Sequence, residues 1–281
     1  RTRRRMDLRN GAGLVKYLDE FRNAELVKGI PGRDRQDGRS PHRLMEICGG
    51  QTHAIVRSGL DQLLPDEIEL VHGPGCPVCV TPAAMLDQAL AIARRSEVIF
   101  TSFGDMLRVP GTGGDLFEVR AQGGDVRVVY SPLDALELAR RNPGREVVFF
   151  GLGFETTTPS TALAIQQAAR EGLANFSVFC NHITVPEPIR ALLDDPHMVL
   201  DGFIGPGHVS MVIGTHAYDF IARDYGKPIV VAGFEPLDLL QALLMVLEQI
   251  RDGRAAVEKP VCPGRARTWQ PRQPGRHRRC L

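Results

Sequence analysis

The chain has 281 residues, of which 43% are hydrophobic and 24% are charged, a composition typical of a globular protein with one large or two medium domains. Its net charge is +1, but seven Lys/Arg residues and no acid follow Glu258, so the preceding body is mildly acidic and nucleic-acid binding is not expected. We recognise no signal peptide and no apolar run of membrane-spanning length, and six cysteines are too few for a disulfide scaffold. These features predict a cytoplasmic protein with a few chemically used thiols.

Strand and helix patterns alternate from residue 43 onward. Short apolar runs predict strands at 43–47, 68–71, 98–101, 126–130, 147–150, 176–179, 202–204 and 228–231. Helical spacing predicts helices at 14–27, 52–60, 82–95, 132–141, 159–171, 186–193, 217–223 and 236–251. This alternation of apolar strands with helices is typical of parallel, doubly wound α/β sheets.

The number of predicted strands suits two four- or five-stranded lobes better than a single sheet. We therefore predict an α/β fold with two Rossmann-like parallel-sheet lobes facing a cleft, because right-handed crossovers send their glycine-rich loops to one sheet edge. The predicted parts are an N-terminal helix and loop (1–41), a first lobe with the cysteine motifs (42–135), a second lobe (136–258) and a disordered tail (259–281).

Three cysteines lie where a predicted strand gives way to glycine and then to a helix. Cys48 follows the first strand in the segment EICGGQTH, and Cys76 and Cys79 follow the second strand in GPGCPVC. Helix N-terminal amides stabilise a thiolate, which is the form that binds metals or attacks disulfides. The CPVC pair is either a dithiol/disulfide couple or half of a zinc site, and Cys48 is either a metal ligand or a small buried hydrophobe. Cys180 ends an apolar strand and is predicted to lie in the core.

Four further polar residues stand beside glycine motifs. His53 and His208 occur at loop–helix junctions, where a histidine is either an acid–base group or a structural hydrogen-bonding residue. Asp105 and Glu155 are either functional acids or acids that stabilise the first turn of a helix. The segment GLGFET, which contains Glu155, resembles a truncated dinucleotide-binding loop that lacks its third glycine.

Six motifs occur in the order ICGGQTHAI, HGPGCPVCVTP, TSFGDMLRVPG, GFETTTP, GPGHVSMVIG and VVAGFEPLDLL. They closely resemble the HypD family of hydrogenase maturation proteins, and the resemblance covers about residues 44–257. This resemblance implies two α/β lobes facing a cleft, and a C-terminal cysteine-rich region that carries a [4Fe-4S] cluster. It also implies a scaffold that assembles the Fe(CN)2CO unit of [NiFe]-hydrogenase with the small chaperone HypC. HypE would supply the cyanide, and the hydrogenase large subunit would receive the product.

The resemblance further implies roles for individual residues. Cys48 would bind iron together with a cysteine of HypC, and Cys76 and Cys79 would form the redox pair. The groups expected around the iron unit or on the facing lobe are Gly49, Gly50, His53, Asp105, Glu155, Thr156, His208 and Glu235. Such a protein is an iron-binding, redox-active assembly scaffold (a metallochaperone) rather than a conventional turnover enzyme.

Two other functions compete with the scaffold. A thiol-disulfide oxidoreductase that acts through Cys76 and Cys79 would not need Cys48. A nucleotide-binding enzyme on a Rossmann-like lobe would bind its nucleotide without any of the three cysteines.

The C-terminal tail departs from the family pattern. Cys262 and Cys280 do not match the cysteines of the family's [4Fe-4S] cluster, and the sequence after Lys259 is rich in arginine and proline. We interpret this end as a truncation or a frameshift near Lys259. A cysteine-rich continuation is then expected in another reading frame of the downstream coding DNA, and sequencing that finds none would reject the frameshift.

Overall fold

The computed structural model describes residues 41–260. Its strands are β1 (His42–Glu46), β2 (Ile68–His72), β3 (Val98–Ser102), β4 (Asp125–Val128), β5 (Glu146–Gly153), β6 (Phe176–His182), β7 (Gly202–Pro206), β8 (Ile229–Ala232) and β9 (Val257–Glu258). Its α-helices are α1 (Gly49–Ser58), α2 (Ala83–Ala93), α3 (Leu116–Ala121), α4 (Pro132–Arg141), α5 (Thr158–Glu171), α6 (Pro186–Leu193), α7 (Gly207–Ile213), α8 (Asp219–Tyr225) and α9 (Pro236–Arg251). Short 3₁₀ helices lie at Leu60–Gln62, Gly104–Arg108 and His216–Tyr218.

The helix predicted at 14–27 and nearly all of the predicted disordered tail (259–281) lie outside the described residues. Within residues 41–260, none of the helices combines the length and the apolar character needed to span a bilayer.

The named strands form two sheets in which every paired strand is parallel. One sheet has the order β2-β1-β7-β8-β9, and the other has the order β4-β3-β5-β6. Parallel neighbours require crossover connections, which here are supplied by helices. The predicted α/β class and the expected size of the two sheets are therefore confirmed.

The described chain divides into two compact units that are not continuous in sequence. The first unit contains residues 41–72, 199–207 and 218–260, and the second contains 73–198 and 208–217. The domain boundary predicted between residues 135 and 136 is not a boundary of these units. It would separate β4 from β5, which belong to the same sheet. The division differs because β1 pairs with the distant β7, and apolar strand patterns do not reveal long-range partners.

Helix α9 closes the core of the five-stranded unit. Its residues Leu239, Leu243 and Val246 recur at helical spacing and are fully buried. They belong to the same apolar cluster as Leu44 of β1 and Ile204 of β7. The helix therefore packs against the centre of the sheet. Cys48 lies just beyond the carboxyl edge of this sheet.

Aromatic side chains of β3 and β5 form the centre of the four-stranded unit. Phe100 and Phe150 are both fully buried, and their ring centroids lie 6.1 Å apart. Phe179 of β6 packs against Phe150 with a centroid separation of 5.4 Å. These contacts join the central strands to β6, so that β6 is held in place although it lies at the edge of the sheet.

Several local predictions are wrong. Helix α3 was not predicted, and the segment GPGHVS, expected to be a loop, contributes the start of α7. Pro82 is the N-cap of α2 rather than its first helical residue. Cys180, predicted to lie in the core, is exposed because β6 is an edge strand.

Truncation of a leucine on α9 tests the packing of this helix. We expect Leu243→Ala to lower the free energy of unfolding by about 2–5 kcal/mol, because the side chain is 0% exposed and its loss leaves a cavity. The matched change Leu237→Ala, on the same helix at 49% exposure, should cost less than about 0.5 kcal/mol. Urea unfolding followed by far-ultraviolet circular dichroism measures both values, and equal losses would contradict this packing.

Candidate functional site

Cys48 stands where β1 gives way to α1. It is the N-cap of α1, with extended backbone angles of φ −118° and ψ 124°. Its carbonyl oxygen accepts hydrogen bonds from the backbone N–H groups of Gln51 at 2.7 Å and Thr52 at 3.1 Å. The half-buried thiol is therefore placed at the carboxyl edge of a parallel sheet, as the strand–glycine–helix pattern predicts.

The carboxylate of Glu46 organises the backbone around Cys48. Its side chain is fully buried, and it accepts hydrogen bonds from the Cys48 backbone N–H at 3.0 Å and from the Thr52 hydroxyl. His72, at the end of β2, donates from Nδ1 at 2.7 Å, and its side chain is 46% exposed. Three donors thus compensate the burial of one carboxylate. We did not predict this role of Glu46. The sequence signal for it is an acidic residue within the otherwise apolar run LMEIC.

Gly50 allows an aromatic ring to approach the thiol. A Cβ atom at position 50 would lie 2.7 Å from Cε1 of Phe234 and 3.7 Å from Sγ of Cys48. The first distance is a steric clash, so the ring of Phe234 can occupy this place only beside glycine. Cys48 is therefore bordered by a side-chain-free position and by an aromatic ring.

Gln51 ties the start of α1 to the two neighbouring strands of the sheet. Its side chain is fully buried, and Nε2 donates to the carbonyl oxygens of Gly205 and Ala232, both at 3.0 Å. These carbonyls lie at the carboxyl ends of β7 and β8, where the ladder leaves backbone acceptors without a partner. Sequence reasoning did not single out Gln51, because its partners are distant in the chain.

Burial raises the pKa of the Cys48 thiol above its ordinary value. The backbone N–H groups of Gly50 and Gln51 oppose this shift, and the negative charge of Glu46 adds to it. The helix amides therefore lower the pKa of this thiol, as expected, but desolvation outweighs them and the net shift is upward.

Cys76 and Cys79 form a close pair of free thiols in a turn. Their sulfur atoms are 2.7 Å apart, and the Cys79 backbone N–H lies 3.3 Å from Sγ of Cys76. Cys79 is exposed, and donation of its S–H to the sulfur of Cys76 raises its pKa. Helix α2, which was expected to lower a thiol pKa here, begins only at Ala83.

Side chains on both sides of the turn hold the thiol pair in the four-stranded unit. Val78 packs against the apolar cluster that contains Phe100 and Phe150. The Thr81 hydroxyl donates to the Pro77 carbonyl oxygen at 2.8 Å and accepts from Nδ2 of Asn181, on β6, at 2.9 Å. The turn is therefore anchored to the sheet, while its cysteines remain accessible.

The remaining predicted polar residues differ in exposure. The exposed ones are His53, Asp105, Thr156, His208 and Glu235. Glu155 is buried at 7% exposure, and its Oε1 accepts from the Val185 backbone N–H, at the start of α6, at 2.8 Å. Glu155 thus stabilises the start of α6, which lies 30 residues further along the chain.

The predicted residues are shared between the two units. Cys48, Gly49, Gly50, His53 and Glu235 belong to the five-stranded unit, and Cys76, Cys79, Asp105, Glu155, Thr156 and His208 belong to the other. Between residues 41 and 260, no three His, Cys, Asp or Glu side chains are grouped so that they could hold a metal ion.

A model of the HypD family, described as "Hydrogenase formation hypA family", matches residues 23–262. The chain is 68% identical over 251 residues to the hydrogenase maturation factor HypD of Rhodobacter capsulatus. The aligned segment covers 87% of this chain and 67% of that protein.

Two further relatives carry the same name. The protein of Azotobacter vinelandii is 55% identical over 252 residues, covering 87% of this chain and 66% of the relative. The protein of Escherichia coli K12 is 52% identical over 251 residues, covering 87% of this chain and 67% of the relative. The chain therefore spans about two thirds of the length of the relatives it matches.

The influence of Glu46 on the Cys48 thiol is testable by substitution. We expect Glu46→Gln to lower the pKa of Cys48, because a negative charge is removed while an amide oxygen still accepts a hydrogen bond. Since only the thiolate is alkylated, the midpoint of iodoacetamide labelling of Cys48 should move to lower pH. Peptide mass spectrometry across a pH series measures this midpoint.

Glu69→Gln is the matched control. Glu69 lies on β2 of the same unit, and its exposed side chain pairs with Arg43. This change should leave the Cys48 midpoint in place. An unchanged midpoint in Glu46→Gln, or the same shift in both variants, would show that Glu46 does not raise the Cys48 pKa.

Proposed function

The chain belongs to the HypD family, and from this we propose that it acts in hydrogenase maturation as a scaffold for the Fe(CN)2CO unit. In this proposal Cys48 binds the iron, and Cys76 with Cys79 supplies or takes up electrons. The iron unit is the cargo, because it leaves on another protein when it is complete. The partners would be a HypC-like chaperone, a HypE-like cyanide donor and, indirectly, a hydrogenase large subunit, in the cytoplasm.

The observation that carries the proposal is the setting of the Cys48 thiol. Thiolate is a soft ligand that suits iron, and the sulfur is half-buried at a helix N-terminus. Gly49 presents no side chain at the start of α1, and the ring of Phe234 lies beside Gly50. One protein ligand from this chain also fits a site completed by cyanide, carbon monoxide and a cysteine of the partner.

The negative charge of Glu46 disfavours a free Cys48 thiolate but favours a thiolate that is bound to iron. Burial, together with this charge, raises the Cys48 pKa, so the free thiol keeps its proton at neutral pH. A cation at the sulfur reverses the balance, because it attracts both the thiolate and the carboxylate two residues before it. Iron binding would therefore release the thiol proton, and iron affinity would increase with pH.

The Cys76–Cys79 pair supports a redox role. Oxidation of two thiols to a disulfide releases two electrons and two protons. The sulfurs are 2.7 Å apart, so bond formation needs only a small movement within the turn. Two donors from Cys79, its backbone N–H and its S–H, point at Sγ of Cys76.

The other residues implied by the family remain part of the proposal. His53 and Asp105 would act as proton or hydrogen-bond partners of the iron unit, and Glu155, Thr156, His208 and Glu235 would be cofactor-binding residues. The ligand set of a [4Fe-4S] cluster does not fit residues 41–260, whose cysteines are Cys48, Cys76, Cys79 and Cys180. We therefore assign no step to such a cluster.

The geometry of the dithiol supports a second candidate function. A close, accessible CxxC pair is typical of thiol-disulfide oxidoreductases, and this activity would depend on Cys76 and Cys79 alone. The two candidates differ in their need for Cys48.

Infrared spectroscopy tests the scaffold. The chain, co-expressed with a HypC-like partner and purified without oxygen, should show cyanide and carbonyl stretching bands. Cys48→Ala should abolish the bands because the iron loses its ligand from this chain. Cys180→Ala is the matched control, since it removes another thiol of the described chain, and its spectrum should match the wild type.

The outcomes separate the two candidates. Bands that persist in Cys48→Ala would place the iron on another residue, and a wild-type protein without bands would contradict the scaffold. Catalysed reduction of a protein disulfide that survives Cys48→Ala but is lost in Cys76→Ser would favour the oxidoreductase.

A further inference from the structure

A second pair of reactive groups lies on β6, away from the CPVC turn. Sγ of Cys180 is 3.5 Å from Nδ1 of His182, which is within hydrogen-bonding distance for sulfur. Alternate residues of a strand point to the same face, so Cys180 and His182 share one face while Asn181, which holds the CPVC turn, points to the other. The pair is thus separate from the dithiol.

The imidazole of His182 is held in place on two sides. Its Nε2 lies 3.4 Å from the hydroxyl of Thr161 on α5. A Cβ atom on Gly151 of β5 would lie 2.9 Å from Cε1 of the ring, so this ring position depends on glycine. When Nε2 carries the proton and donates it to the Thr161 hydroxyl, Nδ1 is unprotonated. Nδ1 is then the acceptor that faces the Cys180 thiol.

The surroundings leave the sulfur accessible. Cys180 is exposed, and β6 is the edge strand of its sheet. Across the ladder, Cys180 is paired with Gly151 and His182 with Gly153, so the neighbouring strand presents no side chains beside them. Burial lowers the pKa of His182, which keeps the imidazole neutral and able to accept a proton at physiological pH.

We propose that Cys180 and His182 form a second reactive-thiol site, at which Cys180 is modified by low-molecular-weight disulfides such as oxidised glutathione. A thiol, a neighbouring base and a group that orients the base are the arrangement of an activated nucleophile. This inference does not depend on the proposed scaffold function, because it involves none of the residues assigned to that function.

The reaction balances without a further reactant. The Cys180 sulfur attacks one sulfur of the disulfide, and its proton passes to Nδ1 of His182. The S–S bond of the reagent breaks as the new mixed disulfide forms on Cys180. The departing thiolate takes the proton from His182 and leaves as a thiol, so that Cys180 is oxidised and half of the reagent is reduced.

The test measures how fast Cys180 is modified. The full chain is incubated with oxidised glutathione at neutral pH, and the glutathionylated Cys180 peptide is quantified over time by mass spectrometry. His182→Gln should slow the modification about tenfold, because the proton acceptor is lost. His197→Gln, at an exposed histidine of the same unit, is the matched control and should react at the wild-type rate.

Thiol reactivity in the unfolded chain provides the second comparison. Native Cys180 should react faster than the same cysteine in wild-type protein unfolded in urea, where His182 is no longer held beside it. This comparison also decides the matter if His182→Gln fails to fold. A native rate equal to or below the unfolded rate, or a folded His182→Gln variant that reacts at the wild-type rate, would overturn the proposal.

Discussion

The buried carboxylate of Glu46 is the interaction on which the surroundings of Cys48 depend. A charged side chain with no exposure to solvent is tolerated only when donors surround it, and the donors come from the Cys48 backbone, Thr52 and His72. These contacts join the end of β1, the first turn of α1 and the end of β2. One carboxylate therefore sets the backbone of the thiol and its electrostatic environment together.

The cysteines of the described chain have three different settings. Cys48 is half-buried and has a raised pKa, which suits a ligand that loses its proton when a cation arrives. Cys76 and Cys79 lie in an accessible turn, where close sulfurs favour reversible oxidation. Cys180 faces a histidine on an edge strand. Burial and the nearest polar neighbour, rather than the thiol itself, distinguish their chemistry.

Much of the fold follows from local patterns. The apolar runs correctly predict eight strands, and helices α4 and α6 have the predicted bounds, because Pro132 and Pro186 mark helix starts and the apolar spacing continues from there. Short elements such as α3 carry too few residues for a periodic signal. The placement of Cys48 after β1 is also predictable, since strand, glycine and helix are adjacent in the chain. The raised pKa of this thiol is not predictable from the local sequence, because burial depends on tertiary packing.

Local periodicity and contiguous motifs establish the α/β class, the approximate size of both sheets, the position of each thiol after its strand, and the family. Tertiary contacts establish that β1 pairs with β7, that Glu46 is enclosed by three donors, and that Cys180 is exposed beside His182. These three features have one cause in common. Strand partners, solvent exposure and hydrogen-bond donors come from residues distant in the chain, and a local pattern carries no information about which distant residues arrive.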